Sequence, residues 1–278
     1  MKLLGRNSKF KIILLFLTGL ILFTPFYMYT SHDVSRLNKE YPHIVLNDQD
    51  DPDFILKEAK PKDWVKLSEI STYGKWAIIF SEDWAFYQHQ GVDVEQVKVA
   101  LNEMVEGDRF RGASTISQQM IKNVFLSNSR TLWRKLHEYI LTFKAERTIK
   151  KQRILEIYLN CIEFGPGIYG IKKASYHYFK KHPSALTPRE SAFLAMLLPS
   201  PKRYSESFKK KKLTDFAQLR IKAVLKKLRM GKVITDEQYE QEVSSRFNWE
   251  PQDPVTELAK ESPNDFEESS EFSDDITE

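Results

Sequence analysis

Ile12 to Thr30 contain no charged residue, and such a stretch leaves a chain few options. It is buried in a protein core or placed in a lipid bilayer. At about 1.5 Å per residue, a helix of this length covers roughly the 30 Å hydrocarbon core of a membrane. Lys2, Arg6, Lys9 and Lys11 precede it, and Asp33 and Glu40 follow. Bases on the N-terminal side orient that end towards the cytoplasm and export the rest. A cleaved signal peptide shares the charge pattern, but the stretch is long for one. Pro25-Phe26-Tyr27-Met28-Tyr29 offers no small-residue cleavage site. Tyr27 and Tyr29 suit an interfacial aromatic belt. The expectation is a basic cytoplasmic stretch over 1–11 and a retained transmembrane signal anchor over 12–30.

The exported part is long enough for one large domain or two small ones, and 41% hydrophobic residues support a core. Residues 31–70 are polar and proline-punctuated, with a turn-rich patch at Asp48-Gln49-Asp50-Asp51-Pro52-Asp53, and read as a tether. Helical signals then dominate. Asp93 and Gln96 form a capping-box pattern ahead of Val97, Leu101, Met104 and Val105. Gly107 to Gly112 is a basic loop. Helical periodicity resumes over Ser114–Leu126 and again over Thr131–Ile149, followed by a short apolar helix over Gln152–Asn160. Thr187-Pro188-Arg189-Glu190 is a helix start with proline at its first position, and the apolar run after it belongs in the core. Thr214–Met230 is amphipathic with Gly231 as C-cap, and Thr235 opens one more helix. No alternating strand pattern, internal repeat or phosphate-binding glycine loop is present. The fold class is mainly α, with the folded domain over 71–249. The acidic, aperiodic tail over 250–278 is expected to be disordered. Cys161 is the single cysteine, so no intrachain disulfide can form.

Chemistry gathers around Ser81–Gly91. Glu82 and Asp83 follow the apolar run Trp76–Phe80, where a carboxyl can be partly desolvated and its pKa raised towards that of a useful base. Taken alone, such a pair reads as a solvated element end. Likewise Arg134 and Glu138, with Lys135 three from the same acid, read alone as a surface ion-pair set worth about 0.2–0.5 kcal/mol per pair.

Four stretches in order change that reading. They are Glu82-Asp83 with Phe86, His89, Gly91 and Asp93; Arg111-Gly-Ala-Ser-Thr-Ile-Ser-Gln-Gln-Met-Ile-Lys-Asn123; Arg134-Lys-Leu-His-Glu138; and Ile154-Leu-Glu-Ile-Tyr-Leu-Asn160 with Phe164, Gly165 and Gly170. A looser fifth is the apolar helix after Thr187, ending at Pro199. Together they cover about residues 74–205 and resemble the peptidoglycan glycosyltransferases that polymerise lipid II. No transpeptidase region follows Pro201, so the chain is similar to the monofunctional biosynthetic type.

The resemblance implies a lysozyme-like, bilobed and mostly helical domain behind the membrane helix, on the periplasmic side of the inner (cytoplasmic) membrane. It implies transfer of a glycan carried on undecaprenyl pyrophosphate to the 4-hydroxyl of an acceptor N-acetylglucosamine, with inversion. Glu82 would be the general base, since a sugar hydroxyl must lose its proton as it attacks. Asp83 would organise the loop and border the substrate. The leaving pyrophosphate needs cations and dipoles placed in advance. Lys122, Arg130, Arg134 and Lys135 would supply the charge, and Gln118, Gln119 and Asn123 the hydrogen bonds. Ser114 and Thr115 would present helix N-terminal amides. Glu138 would act through a divalent metal (Mg2+ or Mn2+) or through the neighbouring bases.

The implied partners are lipid II, the growing glycan strand, the membrane and other cell-wall synthesis proteins, with no nucleic acid. Trp84 and Phe86 read as packing residues, His89 as a structural hydrogen-bonder, and Tyr158 and Asn160 as scaffold. Lys209–Lys212 touch anionic head groups or simply lead into the next helix. His137 and Cys161 carry no assignment. Two other classes stay open: a lysozyme-like glycan-cleaving enzyme, and a non-catalytic membrane-anchored scaffold. The first has no use for the Gln-Gln-x-x-Lys-Asn face, and the second none for the two glutamates.

Overall fold

The structure, a computed structural model, describes residue 19 and residues 23–46, 52–105, 114–126, 129 and 131–251. Most of the expected anchor therefore lies outside the described residues, as do the loop over 107–112, Arg130 and the acidic tail beyond 251. Residues 23–30 are helical. Among the described residues, no helix is long and apolar enough to cross a membrane.

The domain is mainly helical, as its sequence periodicity predicts. Helix α1 (Thr72–Glu82) starts at Ser71, whose side chain accepts from the Gly74 amide. It packs against α7 (Pro188–Leu197) and α8 (Asp215–Met230). Every residue of α7 except Arg189 is buried, because Ala192–Leu197 is wholly apolar and the helix packs on both α1 and α8. Its Thr187–Glu190 capping box is formed, and so is the Thr235–Gln238 box of α9 (Asp236–Ser244). Helix α2 (Val94–Val105) begins where the Asp93 carboxylate accepts from Gln96.

A second group consists of α3 (Ile116–Phe125), α4 (Leu132–Thr148) and α5 (Lys151–Cys161), with α3 packed on both of the others. Helix α6 (Ile171–Phe179) follows a two-strand turn formed by β3 (Glu163–Gly165) and β4 (Ile168–Tyr169). The chain is capped and packed so that the C-terminus of α1 meets the N-terminus of α3. That junction places the site.

The sequence reading of 31–70 as a tether is corrected. Strands β1 (Tyr41–Leu46) and β2 (Pro52–Lys57) form an antiparallel hairpin, Tyr41 opposite Lys57 and Leu46 opposite Pro52. Along β2 alternate residues are half-buried, and Phe54 and Leu56 pack on the core. The alternation is masked in the sequence by Ile55, which is apolar yet points outward. Before the hairpin, Val34 and Leu37 are fully buried. Arg153 from α5 donates to the carbonyls of Leu37 and Glu40, both at 2.9 Å. Beyond the hairpin, Asn160 brackets Val65, accepting from its amide at 2.8 Å and donating to its carbonyl at 2.9 Å. Glu156 accepts from the Trp64 indole and the Leu67 amide. The motif residues of α5 thus hold 34–67 against the helical body.

Candidate active site

Glu82 ends α1, and its Oε2 accepts from Gln119 Nε2 at 3.0 Å. The Gln119 amide is itself fixed, because the fully buried Tyr158 hydroxyl donates to its Oε1 at 2.9 Å. Burial raises the Glu82 pKa above its usual 4.5, and the neighbouring Asp83 pushes the same way. The Gln119 hydrogen bond and the charges of Lys227 and Arg220 oppose this. Burial likewise lifts the Tyr158 hydroxyl well above its ordinary value, with Glu82 and Asp83 adding to the effect. Tyr158 therefore stays a proton donor to Gln119. A desolvated carboxylate aimed by a neutral amide is a competent general base.

Asp83 faces inward. Its side chain is almost fully buried, with Oδ1 2.8 Å from His89 Nε2 and Oδ2 accepting from the Ile116 amide at 2.9 Å. His89 Nδ1 in turn accepts from the Gly91 amide at 3.1 Å. Both ring nitrogens are thereby used in holding the loop. Thr115 and Gln118 form a reciprocal capping box at the start of α3, and the Thr115 hydroxyl donates to the Gly91 carbonyl at 2.6 Å. Both residues are buried. These contacts correct the expectation that the α3 N-terminus binds phosphate. The Ile116 amide is taken by Asp83 and the Gln118 amide by Thr115, so Asp83, Thr115 and Gln118 build the site from behind.

The cations converge differently. On α4, Glu138 is 2% exposed, yet it is flanked by Arg134, whose Nη1 donates to Oε2 at 2.5 Å, and by Lys135, which reaches Oε1. Read as a surface pair, this set would contribute little. Burial of the carboxylate makes it a fixed positive rim instead. Lys135 also donates to Ser114 Oγ at 3.1 Å, linking the rim to the start of α3. Arg134 Nε is buried with no hydrogen-bond partner. Lys122 on α3 feels the charge of both carboxylates. Burial lowers its pKa and Arg134 and Lys135 lower it further, while Glu138 and Glu82 hold it up. Asn123 follows Lys122 on α3 and is partly exposed.

The residues do not fit a resident divalent metal. Among the described residues no three His, Cys, Asp or Glu side chains converge. Both oxygens of Glu138 are already engaged by cations, which neutralise the ligand a divalent ion would need.

Sequence reasoning missed three contributors. Lys227 on α8 donates to the Phe80 carbonyl at 2.7 Å and, with Arg220, acts on Glu82. On α4, Glu146 accepts from Ser117 of α3 and pairs with Lys151 at 2.8 Å. The signal for Lys227 was only the polar face of an amphipathic helix, with nothing to connect it to a motif well over a hundred residues away.

The family model described as Transglycosylase matches residues 52–229, well over half of the chain and including strand β2. A biosynthetic peptidoglycan transglycosylase from Nitrosomonas eutropha is 46% identical over 142 residues, 51% of this chain and 58% of that protein. One from Brucella suis is 43% identical over 149 residues, covering 54% and 66%. One from Acinetobacter baylyi is 44% identical over 158 residues, covering 56% and 70%. The chain thus spans 58% and 66% of the length of the first two relatives. Among solved structures, penicillin-binding protein 1A from Haemophilus influenzae aligns with 52% of this chain and 18% of its own, at 26% identity and a TM-score of 0.31. The chain belongs to the transglycosylase family.

Proposed function

We propose that the chain polymerises lipid II into peptidoglycan glycan strands. The observation that carries this reading is Lys122, which feels both Glu82 and Glu138 and so joins a desolvated base to a cationic rim in one site. Glu82 takes the proton of the acceptor 4-hydroxyl as its oxygen attacks the anomeric carbon of the donor glycan. The bond from that carbon to pyrophosphate breaks, its electron pair leaving with the phosphate, and the configuration inverts. Lys122, Arg134 and Lys135 take up the developing charge, assisted by Ser114 and Asn123. Glu138 holds the two α4 cations in place, and this arrangement supplies the charge that a metal would otherwise supply.

In the same reading the domain is lysozyme-like and bilobed, and the stretch over 12–30 anchors it to the inner (cytoplasmic) membrane, facing the periplasm. The names of the related proteins support the substrate class, and the basic-then-apolar N-terminus supports the anchor. The test is polymerisation of labelled lipid II by the detergent-solubilised chain beside Glu82→Gln. Polymer from the wild type that vanishes with the variant is the expected result. Cleavage of preformed glycan, with no polymer, would replace the reading by a hydrolase.

A further inference from the structure

His137 is adjacent to Glu138 on α4, but its partners belong to another part of the chain. Ser31 Oγ lies 2.9 Å from His32 Nδ1 and 2.7 Å from His137 Nε2, and it donates to the Met28 carbonyl at 2.8 Å. His137 Nε2 also reaches that carbonyl, at 3.1 Å. With the serine proton committed to Met28, both imidazoles approach the hydroxyl as N–H donors. This network assigns neutral His137 as its Nε2–H tautomer and His32 as its Nδ1–H tautomer.

The rings are 5.5 Å apart, and the His32 ring meets Phe125 of α3 at 5.4 Å. Two turns further along α4, Lys144 Nζ donates to the carbonyls of Tyr29 and His32, both at 2.8 Å, and sits 4.8 Å from the centre of the Tyr29 ring. Three groups able to carry positive charge therefore meet at one junction. Of the nearby acids, Asp33 accepts from Ser35 and also feels the charge of Lys144, and Glu138 is held by Arg134 and Lys135.

We propose that Ser31, His32, His137 and Lys144 form a proton-sensitive latch, fastening the segment that leads into the domain to the helix carrying Glu138. Neutral imidazoles satisfy every hydrogen bond of the junction. Protonating them places two more cations beside Lys144 in a half-buried space. Burial lowers the pKa of both histidines, outweighing the Met28 carbonyl that raises that of His137, and His137 and Lys144 lower that of His32 further. The sign follows. The docked state binds fewer protons than the released one, so docking is complete above the ordinary histidine value of 6.5. It weakens as pH falls below that value towards the lowered ones. The inference is independent of the reaction assigned to the site.

Hydrogen exchange of the full chain in detergent tests it, following the amides of residues 27–33 from pH 8 to pH 5 and correcting for intrinsic rates. The expected result is a loss of protection of about tenfold across that range. The double variant His32→Gln/His137→Gln should change less than about twofold, and Lys144→Gln, which keeps a donor but loses the charge, should shrink the loss seen in the wild type, because the docked His32 value moves back towards 6.5. Uniform protection in the wild type would sink the latch, as would a pH dependence that survives the double substitution. If the double variant fails to dock at any pH, an undiminished loss of protection in Lys144→Gln decides against the proposal.

Discussion

Tyr158 and Glu82 never touch, yet the same amide binds them: Gln119 accepts from the tyrosine at 2.9 Å and donates to the carboxylate at 3.0 Å. Because the amide oxygen is claimed by a hydroxyl that cannot ionise at neutral pH, Gln119 has no freedom to flip. Its NH2 is the group that must face Glu82. A base that is only partly desolvated is thereby held in one orientation without a neighbouring positive charge in contact, which would have depressed its pKa.

Glu82→Gln should lower polymerisation by about 10²- to 10⁴-fold, the usual contribution of a positioned general base. Its stability should move the other way. A carboxyl whose folded pKa is raised contributes most to stability below its unfolded value, and that contribution is lost as pH rises through the folded value. At neutral pH the ionised Glu82 is therefore a cost, and the variant should melt at or above the wild-type temperature. Activity and thermal unfolding measured on the same samples check both signs. In the wild type, kcat should rise with pH through a value above 4.5.

Tyr158→Phe removes one oxygen from a fully buried position and leaves Gln119 Oε1 without its donor. The expected loss is about 1–2 kcal/mol of stability. With the amide free to reverse, kcat should fall by about tenfold while KM changes little, because Tyr158 reaches the substrate only through Gln119 and Glu82. A fall in KM-dependent binding instead would place Tyr158 against the substrate itself.

The helices around this site were legible because their ends are written in side chains. The Thr187–Glu190 and Thr235–Gln238 boxes formed as their spacing predicts. The hairpin was not legible, since its outward Ile55 breaks the alternation and its neighbours Asp53 and Pro52 read as a turn. Its burial depends on Trp64, Arg153 and Tyr41, which meet only in the fold. The same limit applies within the site. Residue type indicated carboxylates and cations, but not direction. Thr115 and Gln118 are as polar as Ser114 and Gln119, and only the capping box decides which pair turns inward.

Glu138→Gln tests how the rim is maintained. Glu138 is among the charges that hold up the Lys122 pKa against burial and against Arg134 and Lys135. Removing it should lower that pKa further, so Lys122 loses its proton at a lower pH. The alkaline limb of the pH–rate profile should shift downward in the variant, with a loss of activity at neutral pH as well. An unshifted limb would mean that Lys122 is not the cation being titrated. On the proposed reading, in which the rim carries the charge, treatment with a chelator should leave the wild-type rate largely intact.

Gly91 offers the most local test of the loop that carries His89. Its φ of +92° is one that a side chain rarely adopts, and a Cβ there would lie 2.8 Å from Thr142 Cγ2 and 3.0 Å from Glu146 Cγ. Gly91→Ala should therefore cost about 1–3 kcal/mol from backbone strain alone, with the contact added. Thr142→Ser removes the Cγ2 methyl while keeping the hydroxyl that bonds to the Glu138 carbonyl at 2.7 Å. In the double variant the part of the loss due to Thr142 should return, and the part due to φ should remain. Thermal unfolding of the two single variants and the double separates these contributions. Full recovery in the double variant would show that the backbone conformation carries no strain of its own.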